Sequence, residues 1–360
     1  MCKIYNSIGS LTTVKSHLHR HRIFDFKSLN EVISFQKDYS IYRQQIVSSH
    51  EQTILQEEND LSIAISTFDS ALKEEKINIT SALLDEIDWF KKRMSNLQKS
   101  TQKNIIKKIV SIIKVLIYKY KIRFLEYKLD SKINLALSKL AIIQTLQYNR
   151  HQYIASHFLD AVNESCRIPL MELDRKKWLI DQVNTSILGA LGEQKVEHEL
   201  KSLSDEYFLI NDFTLTLRSP IYFPQEKSYI KSIQIDHILV APSGIFLIET
   251  KNWSTESMNN LSLYSPVQQI RRSSFVTFKL INEAIENNML QLNRHHWGNR
   301  KIPIKNLIAL TNSKPNEEFD FVKILLVKEL VGYINYFKPI FSNSETQRMS
   351  EYLVDLNIHH

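Results

Sequence analysis

Asp236, Glu249 and Lys251 are the residues of this sequence whose types and spacing could do chemistry together. They lie in residues 234–251, which read as two short apolar strands joined at Pro242-Ser243-Gly244. Side chains alternate faces along a strand, so Glu249 and Lys251, two apart, share a face. Asp236 meets them there if the two strands pair as a hairpin. Two carboxylates and one ammonium on a sheet face suit metal-dependent cleavage of a phosphodiester. The carboxylates hold a hard divalent cation, and the cation and the lysine activate a water and neutralise charge developing on the phosphate. An exposed edge strand could carry such a pair for solubility. The unbroken apolar run Ile245, Phe246, Leu247, Ile248 argues instead for a central strand, where a charge without a task is costly.

The elements that must position these residues belong to the second half of the chain. After about Leu188, β-rich runs alternate with helical ones. The pattern predicts a helix over 179–203, strands over 207–217, 233–240 and 245–251, a helix over 266–287, strands over 305–311 and 322–327, and a last helix over 344–356. That order gives an α/β sandwich with a mixed central sheet. Ser265-Pro266-Val267-Gln268 fits a capping box, which leaves Gln269 without a capping duty. His237 alternates to the face opposite Asp236 and reads as a packed or hydrogen-bonding residue. Trp253 reads as an aromatic plug, with stacking on a base or sugar as its functional alternative.

This order of elements, with Asp236 followed by Glu249-Thr-Lys251, resembles the PD-(D/E)xK nuclease superfamily, and within it the nuclease-related domain NERD. Four segments carry the resemblance, from about Leu188 to Val327. Leu188-Gly-Ala-Leu-Gly-Glu193 looks like the family's opening helix. Ile235-Asp236-His237 looks like its Ile-Asp-His strand. Ser243 to Trp253 looks like its Gly…Glu-x-Lys strand and exit. Ser265-Pro-Val-Gln-Gln269 looks like the Asn-Pro-x-x-Gln helix start, with Ser in place of Asn. The resemblance implies a restriction-endonuclease-like fold. It also implies that Asp236, Glu249 and Glu193 face the metal, that Lys251 positions or activates the attacking water, and that Gln269 lines the site. With oxygen ligands only, Mg²⁺ or Mn²⁺ is the cation expected. Arg271 and Arg272, just past the helix start, are candidate phosphate contacts, with a solvated helix face as the alternative.

The first half has a different texture. Residues 29–183 lack glycine and contain one proline, Pro169, and apolar residues recur at threes and fours, as in Leu83, Ile87, Phe90, Met94 and Leu97. This is helical periodicity. Breaks are expected near Asn59-Asp60, Asn78, Asp130-Ser131 and Pro169. No sustained heptad register joins the blocks, so a bundle or a long antiparallel hairpin is favoured over a strict coiled coil. Residues 1–28 show no clear pattern. The expected division is therefore 1–28, a helical domain over 29–183, and a nuclease-like domain over 184–360; the fold class is α+β.

The chain has 360 residues and a formal charge of +7, with pI near 9.1. The distribution says more than the sum. Residues 91–130 hold twelve basic and two acidic side chains, a balance of +10. Lys107, Lys108 and Lys114 in this run are candidates for tracking a nucleic-acid backbone; the alternative is a solvated face while Ile105, Ile109, Ile112, Leu116 and Tyr120 pack a bundle or dimer. Two cysteines point to no disulfide framework and to a reducing cytoplasm. No secretory signal is evident, and lysines interrupt the most apolar run too often for a membrane span; an interfacial amphipathic helix there is the lesser alternative. The expected partners are nucleic acid, DNA before RNA, and a second copy or another protein through the N-terminal helices, with no membrane. By analogy alone, a nuclease with a helical sensor suggests defence against foreign DNA. The rival reading is a catalytically silent nucleic-acid-binding module on a helical scaffold.

Overall fold

The computed structural model describes residues 1–99, 105–252, 264–293, 301–315 and 317–358. The chain divides into two compact units, one of residues 1–37 and 175–360, the other of residues 38–174.

The first unit is built on a six-stranded mixed sheet. Its strands are β1 (Lys3–Tyr5), β2 (Phe208–Phe223), β3 (Ser228–Ala241), β4 (Gly244–Lys251), β5 (Ile304–Leu310) and β6 (Val322–Leu326), adjacent in chain order. β1 runs parallel to β2, β2–β3–β4 form an antiparallel meander, and β5 and β6 continue parallel to β4. β4 lies inside the sheet, as its apolar run requires. The β3–β4 connection is tight: Ala241 pairs with Gly244. Gly244 has φ +126°, and a Cβ there would meet the Pro303 carbonyl oxygen at 2.5 Å, so only glycine fits.

Alternation sorts the core into two layers. One face of the sheet (Ile238, Ile245, Leu247, Ile308) packs on α6 (Tyr264–Glu286), through Val267 and Ile270, and on α8 (Asn343–Ile358), through Met349 and Leu353. The other face (Leu239, Phe246, Ile248, Leu307) packs on α5 (Asn184–Leu200) and the short α7 (Leu330–Asn335), through Val196, Leu200, Leu330 and Ile334. The expected helix over 179–203 is interrupted at Val183, where α4 (Phe158–Gln182) ends and α5 begins.

Residues 1–28, patternless in the sequence, add an element to each layer. β1 extends the sheet, and α1 (Gly9–Arg20) lies on α5, burying Val14 and Leu18. A three-residue strand has no periodicity of its own; its partner, 205 positions away at Phe208, decides its conformation.

The second unit is helical. Its main pair is α2 (Leu29–Lys99, which begins in the first unit) and α3 (Ile105–Ser156), lying antiparallel. Ile87 and Phe90 pack on Ile122 and Leu125; Lys91 pairs with Glu126 at 3.0 Å, and Arg150 grips Glu57 at 2.8 and 3.0 Å. The portion of α4 within this unit closes the other end, where Ala161 and Val162 meet Ile54 and Ile154, and Ser165 bonds His50 at 2.7 Å. This is the antiparallel hairpin with a third helix.

The expected helix breaks do not occur. α2 runs through Asn59-Asp60 and Asn78, α3 through Asp130-Ser131, and Pro169 sits inside α4. An Asn or Asp inside a helix costs well under 1 kcal/mol, less than the packing on either side returns. The interior proline costs about 3 kcal/mol, and α4 carries it between buried Cys166 and Leu173. The apolar stripe of α3 is a second correction. Ile105, Ile109, Ile112, Leu116 and Tyr120 are 54–77 % exposed rather than buried, because α3 turns a different face, Ile122 and Leu125, to α2.

Candidate active site

The site forms where β3 and β4 part company. Their pairing ends at His237 with Ile248. The next position on β3 is Asp236, whose Oδ2 accepts the Thr250 N–H at 2.7 Å. A side chain thus takes over where the backbone ladder stops, which fixes the Asp236 carboxylate beside the end of β4. Glu249 and Lys251 share its face, as alternation requires. Glu249 is 2 % exposed. Its Oε1 accepts from Lys251 Nζ at 2.6 Å and its Oε2 from Gln269 Nε2, on α6, at 3.1 Å. α6 begins at Tyr264, so Ser265 and Pro266 lie in its first turn, where a missing proline N–H costs nothing.

Glu193 comes from α5, across the layer. Gly192 lets that helix approach: a Cβ there would lie 3.0 Å from Asn252 Cβ and 3.1 Å from Thr250 Cγ2. Asn252 then ties the exit of β4 to its surroundings, donating to the Leu188 carbonyl at 2.8 Å and accepting from the Thr311 hydroxyl. Glu193, 7 % exposed, is held by Ser10 of α1, whose hydroxyl donates to Oε1 at 2.5 Å and whose N–H donates to Oε2 at 3.4 Å. Ser10 and Asn252 are side chains the sequence reading did not single out. Asn252, next to Lys251, was within reach of it; Ser10 carries no local signal, being 183 residues from its partner.

The electrostatics follow from three acids sharing one ammonium. Burial pushes Glu249 up to about 7, with Asp236 adding to the rise and Lys251 opposing it. Burial raises Asp236 too, against the pull of Lys251 and the Thr250 N–H. Burial raises Glu193, partly offset by the Ser10 hydroxyl, while Asp236 raises it further. For Lys251 burial acts downward, but Glu249, Asp236 and Glu193 outweigh it and hold the amine above its ordinary range. Lys251 is therefore a firm cation. Among the described residues, no three His, Cys, Asp or Glu side chains are gathered closely enough to hold an ion as they lie. Glu249 is turned to Lys251 and Gln269, Glu193 to Ser10, and Asp236 to the Thr250 N–H. The donor chemistry nevertheless fits a hard cation: carboxylate oxygens, each made more basic by burial.

The remaining candidates fall elsewhere. Arg271 donates to the Asp320 carbonyl at 2.6 Å and lines a cavity of about 970 Å³ with Phe275, Phe278 and Phe321; none of Glu193, Asp236, Glu249, Lys251 or Gln269 lines it. Arg272 faces Glu226 at 3.7 Å. Lys107, Lys108 and Lys114 are exposed on α3, in the helical unit. Trp253 lies outside the described residues.

His237 packs on the opposite face, as alternation demands. It is fully buried, its Nδ1 lies 2.7 Å from Asn211 Oδ1, and its Nε2 has no hydrogen-bond partner among the described residues. Asn211 donates in turn to Glu197 at 2.7 Å. Burial pushes His237 down to about 3, so the folded protein keeps it neutral while the unfolded chain protonates it near 6.5. The unfolded state then binds the extra proton below that pH, and folding stability falls as pH drops through the interval. Raised carboxylates act in the opposite sense, so the comparison must be with a variant. His237→Gln is expected to gain on wild type by about 1.4 kcal/mol per pH unit below 6.5 and to show no trend above it. Urea unfolding at pH 7.5, 6 and 5 reads this directly; parallel curves would mean that His237 does protonate in the fold.

The first unit is thus a mixed sheet covered by helices on both faces, with Asp236 on one strand and Glu249-Thr-Lys251 on the next. Residues 188–311 match the family model of NERD, the nuclease-related domain. The match begins in α5 and ends just past β5, so the helical unit and the segment that carries β1 and α1 lie outside it. Comparisons with curated proteins and with solved structures found no match. Among the described residues, no helix is long and apolar enough to cross a membrane.

Proposed function

We propose that this protein is a metal-dependent nuclease that hydrolyses phosphodiester bonds, with DNA the favoured substrate. The observation that carries the reading is the meeting of Asp236, Glu249, Lys251 and Gln269 at the parting of β3 and β4. Asp236 and Glu249, with Glu193 behind them, are the residues to hold Mg²⁺ or Mn²⁺, whose chemistry is to neutralise phosphate charge and make a water more acidic. Lys251, a firm cation, stabilises charge developing on the phosphate instead of acting as a base. Gln269 orients Glu249. Ser10 keeps the Glu193 carboxylate aimed and favours its charged form against burial, which gives residues 1–28 a place in the nuclease domain proposed over 184–360. The helical domain over 29–183 pairs chains or holds a partner protein, and defence against foreign DNA in the cytoplasm is the biological setting proposed.

The test is incubation of the full chain with supercoiled, linear and single-stranded DNA and with RNA, each with Mg²⁺, Mn²⁺ or EDTA. Cleavage of DNA that requires a divalent cation is expected; inertness on all four substrates with both metals would refute the proposal. One observation favours the silent-module reading: the carboxylates of Glu249 and Glu193 both hydrogen-bond within the protein. Under that reading DNA binds with the usual salt dependence and is not cut.

A further inference from the structure

The outer face of α3 is apolar along most of its length. From Ile109 to Leu146, large apolar side chains recur along its outer side, in two runs separated by Asp130 and Ser131. Ile109, Leu116, Tyr127, Leu135, Ile142 and Leu146 are 54–85 % exposed. Together they span roughly 55 Å at 1.5 Å per residue. An apolar strip of this length on a water-soluble surface marks an interaction site.

Charge identifies what covers it. α3 carries ten basic and two acidic residues, a balance of +8. Residues 44–90 of α2 carry ten acidic and two basic, a balance of −8. Two copies of α3 laid on each other would bring like charges together along the whole seam. Laying α3 on α2 of another copy brings opposite ones together. α2 has apolar side chains to meet it: Ile63, Ile77 and Leu84 stand at multiples of seven and are 48–67 % exposed.

We propose that the occupant is a second copy of this chain, with the α3 stripe of each copy seated on the acidic α2 of the other. The contact is then two-fold and self-complementary, and four helices enclose a common apolar seam. The inference rests on the pairing role proposed above for the helical domain and specifies its partner and its face; it does not depend on the nuclease chemistry.

The experiment is sedimentation velocity on the full chain at about 50 µM, with DNA cleavage measured on the same samples. A dimer of twice 42.3 kDa is expected. Leu135→Asp, at a position 77 % exposed in the single chain, should leave the helical content unchanged and produce a monomer. Reversing Lys132 and Lys139 to Glu should weaken the dimer at least tenfold while leaving the helical content unchanged. A monomeric wild type, a dimer indifferent to Leu135→Asp, or a monomer that sediments with anionic lipid vesicles would each overturn the proposal. Loss of cleavage with an intact dimer would count against the nuclease reading alone.

Discussion

Replacing Lys251 by alanine is expected to lower the rate of DNA cleavage by about 10²- to 10³-fold at saturating Mg²⁺, the scale seen when one charge-stabilising donor is removed from a developing oxyanion. Among the described residues, Lys251 is the cation paired with Glu249, and Asp236 and Glu193 also act on its charge. Because these acids hold it protonated, its loss removes a fixed positive charge rather than a base. The rate deficit should therefore persist at high pH, where loss of a general base would be relieved by hydroxide. Binding of DNA should change little, so the loss should appear in kcat rather than KM. The measurement is single-turnover cleavage between pH 7 and 9.5, with circular dichroism as a control for folding. A variant that cuts within threefold of wild type would show that Lys251 is a structural partner of Glu249 and nothing more.

Neutralising Asp236 should have an effect of opposite sign on stability. Asp236, Glu249 and Glu193 crowd one ammonium, and burial disfavours the charge of each. Asp236→Asn keeps an oxygen to accept the Thr250 N–H while removing one negative charge. In metal-free buffer at pH 8 this variant is expected to be more stable than wild type, because burial disfavours the Asp236 charge that it removes. Adding a divalent cation should reverse the order. A ligand present at 100 times its Kd stabilises the native state by about 2.7 kcal/mol, and that gain should be absent from the variant. Thermal unfolding with EDTA and with a Mn²⁺ titration tests both halves. If wild type and variant respond equally to the metal, Asp236 does not help to bind it. A protein that tolerates such a cost in its metal-free form is one whose site is built for something other than stability.

The arrangement of residues 234–251 was legible because it is local. Alternation along β4 puts Glu249 and Lys251 on one face whatever surrounds them, and Pro242-Ser243-Gly244 can do little but turn. The hairpin register then carries Asp236 to the same place and His237 to the opposite one, and the helix that follows delivers Gln269, although it begins at Tyr264 and not after a Ser265 cap. Each of these follows from neighbours fewer than about thirty positions apart. Helicity of the first half was legible for the same reason, since periodicity is a short-range property.

Contacts between distant parts of the chain were not legible. No pattern in Lys3-Ile-Tyr5 announces a strand, because its hydrogen bonds come from β2. Nor does Ser10 announce a hold on Glu193, which exists only because β1 and the packing of α1 on α5 bring them together. The expected breaks at Asn59, Asn78, Asp130 and Pro169 weighed a local penalty that tertiary burial outbids. The apolar residues of α3 show the converse limit: a periodic stripe says which side chains share a face, while the packing of α3 on α2 chose another face and left that one in water. The sequence alone thus determined which groups can act together within an element. The tertiary structure decided which elements meet, because that choice depends on burying surface across separations that no local pattern encodes.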